Sequence, residues 1–160
     1  MIGGKRKGFP RLGSVQVCVV SNDGPKKMIM VLVKDLNLRP LLLWKNPGGG
    51  IEECDGPEGS DESLFAAAIR EVWQETKIQL LKEELRLIQR QMRVEGGGYI
   101  PNVFIATVQR EKIDGMPQFT ESDGEKMQTG KFSWKEVLGM RDLLMSHRKC
   151  IEEKIGPMIF

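Results

Sequence analysis

The residues with the clearest chemical potential are Arg70-Glu71-Val72-Trp73-Gln74-Glu75. Placed on a helix, Glu71 and Glu75 stand one turn apart on the same side, with Cβ atoms roughly 5–6 Å from each other. That side borders the core stripe, and Ala67, one turn before Glu71, keeps the surface there low. Two carboxylates so close repel each other unless a cation lies between them, which points to a divalent ion. Magnesium takes oxygen ligands at about 2.0–2.1 Å and usually keeps waters and substrate phosphate oxygens in its shell. An acidic pair taken alone is most often a solvated helix face. Here the turn Asn46-Pro47-Gly48-Gly49-Gly50 and an acidic loop precede it. Backbone carbonyls, carboxylates and permissive backbone are thereby brought together.

The pattern around these residues defines the elements that must hold them. Ser14–Val20 and Lys27–Lys34 are β-branched or apolar runs around the turn Asn22-Asp23-Gly24, and predict a hairpin. Leu41–Lys45 is a short apolar run that ends at the Pro-Gly turn, and the stretch from there to Ser60 reads as loop. A helix is expected from a cap near Ser63 to about Thr76, with Phe65, Ala68, Ile69 and Val72 on its core face. Leu85–Val94 and Tyr99–Gln109 predict a second hairpin across Glu95-Gly96-Gly97-Gly98, and Arg110–Gly124 reads as irregular. Lys126–Phe132 is a last strand; Ser133-Trp134-Lys135-Glu136 is a capping box opening a helix to about Leu144, with more helix to Ile155. The expectation is one mixed-sheet α/β domain over residues 1–160, with a basic N-terminus at 1–10.

Composition narrows the classes. Hydrophobic residues at 40% and charged residues at 29% suit a globular domain. No apolar run approaches the roughly 20 residues that span a bilayer, and no signal-type segment follows the start, so the expected location is cytoplasmic. Cys18, Cys54 and Cys150 are widely spaced and read as incidental thiols. His147 is the one histidine, which excludes a His-rich metal site, and its charged C-terminal setting argues against catalysis. A net charge of +2 is too small to argue for nucleic-acid binding, and Lys5-Arg6-Lys7 reads as a solvated tail.

The segment resembles the signature of the Nudix hydrolases, G-x5-E-x7-R-E-U-x-E-E-x-G-U, where U is a bulky aliphatic residue. Glu62, Arg70, Glu71, Val72, Glu75 and Ile78 match it, and Pro47-Gly48-Gly49-Gly50-Ile51-Glu52 resembles the family's approach to the loop. Gly56 satisfies the spacing to Glu62, but the Pro-Gly turn makes Gly49 the preferred counterpart, with an insertion around Cys54–Ser60. Gln74 replaces the first Glu of the EE pair, and Lys77 the closing glycine.

The resemblance implies an α/β/α sandwich with a mixed β-sheet, and hydrolysis of a diphosphate linkage in a nucleoside diphosphate-linked compound with Mg2+ or Mn2+. It implies Glu71 and Glu75 as metal ligands and catalytic groups, with the Gly48 carbonyl a third ligand and Gln74 able to offer one amide oxygen. Arg70 and Glu62 would form an ion pair that orients the helix. Glu125 would supply the late-loop acid, with Glu121 and Asp123 as alternatives. The partner implied is a small nucleotide; RNA is not indicated, no membrane is involved, and a homodimer is left open. Competing readings are a nucleotide-binding sensor with little or no turnover, an RNA-end enzyme or RNA-binding module, and a purely structural acidic helix. Trp44, Tyr99 and Phe104 are candidates to stack on a base, although strand aromatics more often belong to the core.

Overall fold

The computed structural model describes residues 12–38 and 42–159. The basic segment Lys5-Arg6-Lys7 and Leu41 lie outside the described residues. In chain order the first elements are β1 (Ser14–Ser21), β2 (Ile29–Asp35), β3 (Trp44–Lys45), β4 (Gly48–Gly50) and α1 (Asp61–Thr76). Then come β5 (Leu85–Gln89), β6 (Met92–Val94), β7 (Gly98–Ile100), β8 (Asn102–Val108) and α2 (Arg110–Asp114). The last are β9 (Phe119–Ser122), β10 (Glu125–Ser133), α3 (Trp134–Leu138), α4 (Met145–Cys150) and α5 (Gly156–Ile159), with a wider helical turn over Ile151–Ile155.

Val15 to Ser21 of β1 are all buried, as expected of a strand covered on both faces. β1 accordingly lies inside the sheet β5-β8-β1-β2-β10-β9, parallel to β8 and antiparallel to β2. Its alternating residues serve two cores. Val15, Val17 and Val19 meet Leu64, Ala67, Ala68 and Val72 of α1. Cys18 and Val20 join Met30, Leu32, Val137, Ile151 and Ile155 on the other face. Helices cover both faces of a mixed sheet, as the Nudix-type sandwich requires. No helix among the described residues is long and apolar enough to cross a membrane. The three cysteines are free thiols, with Cys18 buried and Cys54 exposed.

Several boundaries differ from the sequence reading. Ser60, not Ser63, caps α1: its hydroxyl accepts the Ser63 amide, and Asp61 and Glu62 then occupy the positive first turn. The second hairpin is split, because β5 pairs with β8 while β6 and β7 form a separate two-stranded ribbon. The stretch read as irregular contains α2 and β9, the latter recruited by antiparallel pairing with β10. The expected helix to Leu144 ends at Gly139, since the next segment turns back and Trp44 exchanges backbone bonds with Asp142 and Leu144.

Lys77 closes α1 in the left-handed conformation (φ 63°, ψ 21°), its amide donating to the Trp73 carbonyl. That conformation costs a residue with a Cβ about 1–2 kcal/mol, which is why glycine is favoured there. Lys77→Gly should therefore stabilise the fold by about 1 kcal/mol, after allowing for the greater freedom of glycine in the unfolded chain. The variant also loses the Lys77 ammonium held 5.5 Å from the Trp73 ring centre. A urea midpoint that rises supports this account; one that falls shows that the ring contact outweighs the strain.

Candidate active site

Glu71 and Glu75 are 2% and 4% exposed, an unusual state for two acids on one helix. β4 is the reason. Val17 donates to the Pro47 carbonyl and Ile51 to that of Gly13, so antiparallel alternation turns the peptide groups of Gly48 and Gly50 away from β1. They turn toward α1, where the Gly48 amide donates to Glu75 Oε1 at 3.0 Å and the Gly50 carbonyl accepts from Arg70 at 2.9 Å. The approach demands glycine. A Cβ at Gly49 would stand 2.5 Å from Glu71 Oε1, and one at Gly48 would stand 2.3 Å from the Val15 carbonyl oxygen.

Arg70 organises the second half of the cluster. Its Nε and Nη2 make a fork on Asp55 at 2.9 and 2.8 Å, while Nη1 bonds Glu71 Oε2 at 2.6 Å and Gln74 Oε1 at 3.3 Å. Glu52 lies 3.4 Å from the same Nη1. Burial would lower the Arg70 pKa, but the Asp55 and Glu71 carboxylates outweigh it and raise it. Burial likewise works to raise Asp55, and the guanidinium overcomes it and holds that carboxyl below its ordinary value.

Glu75 is in the opposite situation. Desolvation pushes its pKa up to about 8; Lys45 opposes the rise, and Glu71 and Glu125 add to it. Charges from α1, β3 and β10 thus converge on one carboxyl. Thr120 of β9 ties the same turn down by donating to the Glu75 carbonyl at 2.8 Å. Near Lys45, burial and that lysine's charge push His147 down to about 3, so its ring is neutral. His147 Nδ1 accepts the Asn46 amide at 2.9 Å, which leaves the ring proton on Nε2.

The structure brings Glu71, Glu75, Gly48 and Gln74 together and places Glu125 within electrostatic reach of Glu75. Glu121 and Asp123 are exposed in and beside the β9–β10 turn. The expected Arg70–Glu62 ion pair is corrected: Arg70 pairs with Asp55, Glu71 and Glu52, while Glu62 is exposed. Glu62 lies two turns from Arg70 on the same helix, roughly 12 Å along its axis, too far for a guanidinium contact. Asp55 instead arrives on the loop, six positions after Gly49, which is the separation G-x5-E prescribes. Among the aromatic candidates Phe104 is core, edge-on to Phe65, and Trp44 is edge-on to Phe132. Tyr99 instead borders a cavity. Among the described residues, no three His, Cys, Asp or Glu side chains form a metal cage by themselves. The donor set still fits a hard cation, since magnesium commonly combines one or two carboxylates with water and phosphate oxygens.

The NUDIX domain family model matches residues 11–153. This chain belongs to that family. The NUDIX domain also resembles solved structures. One is the NUDIX domain of Shewanella oneidensis NrtR in complex with ADP ribose, at 18% identity and TM-score 0.68, covering 96% of this chain and 90% of that one. Another is a MutT protein from Methanosarcina mazei, at 22% identity and TM-score 0.62, covering 96% and 99%. A third is the E. coli dihydroneopterin triphosphate pyrophosphohydrolase, at 17% identity and TM-score 0.56, covering 94% and 99%. At these identities the likeness is one of fold. No curated protein matches the chain.

Sequence reasoning did not single out Asp55, Lys45, Asn46 or Gln16, which the structure places respectively against Arg70, near Glu75, against His147 and buried in β1. Asp55 carried a usable signal, its spacing from Gly49. Lys45 and Asn46 stand directly before the Pro-Gly turn, and their position marks them only once that turn is known to face α1. Gln16 is a polar residue in the middle of a valine-rich strand, an anomaly that the strand pattern itself displays.

Proposed function

We propose that this chain is a hydrolase dependent on Mg2+ or Mn2+ that cleaves a diphosphate linkage in a nucleoside diphosphate-linked compound. The observation that carries the reading is the buried pair Glu71 and Glu75, crowded by Glu125 and faced by β4 and Lys45. Burying two acids one turn apart is costly without a compensating cation. Arg70 compensates Glu71, whereas Glu75 keeps a proton near neutral pH in the metal-free protein. A bound divalent ion would neutralise phosphate oxygen charge and acidify its water.

Glu75, Glu71 and the Gly48 carbonyl are the groups that would hold the ion, with Glu125 next to them. Cation uptake would displace the proton on Glu75, so binding should release protons below about pH 8. Arg70 positions the Glu71 carboxylate, and the Gly48 amide positions Glu75 Oε1. Lys45 supplies a positive charge beside the same carboxyl, suited to phosphate. A mass-spectrometric screen against nucleoside triphosphates, nucleotide sugars and dinucleoside polyphosphates, with and without Mg2+ or Mn2+, tests the reading. Metal-dependent cleavage is expected; no cleavage of any member would overturn it.

A second reading, a nucleotide-binding domain without turnover, is favoured by Gln74, which contributes no charge where the family signature has Glu. A domain of like fold, that of NrtR, is solved in complex with ADP ribose, which supports nucleotide binding on either reading. Tight binding without cleavage in the same screen would select the second. On the hydrolase reading Gln74→Glu restores a third negative oxygen ligand and should raise metal affinity by about tenfold. Titration of Mn2+ by calorimetry measures this, and an unchanged affinity would remove Gln74 from the account of the metal site.

A further inference from the structure

Two buried side-chain amides carry polar atoms with no hydrogen-bond partner among the described residues. Asn46 is fully buried, yet neither Oδ1 nor Nδ2 is hydrogen-bonded, and Gln16, 5% exposed, has an unbonded Nε2. Native folds keep few such groups, because a buried amide without a partner destabilises the fold. Both line one cavity of about 200 Å³, with Lys45, Gly48, Gly49 and His147. A second cavity of about 320 Å³ adjoins it, sharing Gln16, Pro101 and His147 and including Tyr99 in its wall. Gly48 and Gly49 are also the residues against Glu75 and Glu71, so the cavity and the carboxylates share a wall.

Resting on the nucleotide-hydrolase reading, we propose that Asn46 and Gln16 determine specificity by binding the substrate's base along an edge that sets a donor beside an acceptor. The Asn46 amide offers one acceptor and one donor group in a plane, the pattern that pairs with a base edge in two parallel bonds. Gln16 Nε2 adds a second donor, and neutral His147 a third at Nε2. Asn46 Oδ1 is an acceptor, which pairs with a donor on a base edge and repels a phosphate oxygen set against it. Lys45, which lines the same cavity and also reaches Glu75, suits the phosphates that follow the base. Tyr99 and Pro101 line the adjoining cavity and add apolar surface against which a base can pack.

Calorimetric titration of the whole chain with AMP, GMP, CMP, UMP and ribose 5-phosphate tests this without reading turnover. At least one nucleoside monophosphate should bind about tenfold or more tightly than ribose 5-phosphate, the scale of one bidentate contact. Asn46→Leu should erase that preference and melt no lower than the parent, because it removes an unpaired buried amide. If Asn46→Leu does not fold, Gln16→Met serves as the second variant and should cut the preference at least about threefold, the loss expected for one donor. Equal binding of all five compounds, no binding of any, or a preference untouched by both variants would overturn the proposal. A base preference without cleavage of any diphosphate would sink the hydrolase reading alone; cleavage without a base preference would sink this one alone.

Discussion

Glu75→Gln should lower metal-dependent cleavage on the order of 100-fold or more, the scale of losing one charge-stabilising group at a reacting centre. The same substitution should alter stability in the opposite direction. The folded-state pKa of Glu75, about 8, lies above the ordinary 4.5. At the acidic end of that window the carboxyl is neutral in both states and contributes no pH dependence. As pH rises from about 4.5 to 8 the unfolded chain gives up the proton while the folded chain keeps it, so stability falls; above about 8 the loss is complete. Glutamine has no such proton. The metal-free variant should therefore overtake the parent in thermal melts as pH increases through the window, and match it at the acidic end. Added Mg2+ should raise the melting temperature of the parent at pH 8 and leave the variant nearly unmoved. Parallel pH profiles for the two proteins would show that Glu75 is not the strained acid described here.

The largest loss of stability is expected from Arg70→Met. The variant leaves Asp55 and Glu71 buried with no guanidinium between them, and breaking a buried ion pair from one side costs about 3–5 kcal/mol. Asp55→Asn should also destabilise the fold, whereas Glu62→Gln, on an exposed side chain, should stay within about 0.5 kcal/mol. Urea denaturation of the three variants decides between the two acids as the partner of Arg70. A large effect at Glu62 with little at Asp55 would reverse the assignment. Because Arg70 and Asp55 share bonds, the double variant should lose less than the two single losses added together.

What could be read in advance was local. The i, i+4 relation of Glu71 and Glu75 follows from helical pitch, and the helix itself from Ala68, Ile69 and Val72 on one stripe. The β1 strand showed in its valine-rich run, whereas the glycines after Pro47, read as loop, are extended and pair with β1 as β4. Edge elements were less legible. β9 has little apolar content and is a strand because β10 offers it hydrogen bonds, and α3 stops where a backbone bridge to Trp44 takes over.

The sequence by itself determined the family, the helix that carries two carboxylates and the glycine-rich segment after Pro47, because each depends on residues only a few positions apart. Pairing of that segment with β1, and its placement against α1, came from the tertiary structure. Only the tertiary structure decided which acid holds Arg70, since Glu62 and Asp55 differ in reach rather than in chemistry. It alone brought Lys45, Glu125, Gln16, Asn46 and His147 around the site. These come from strands and a helix far apart in the chain, and whether a polar side chain is paired or left bare is settled by packing from all sides, which no periodicity records.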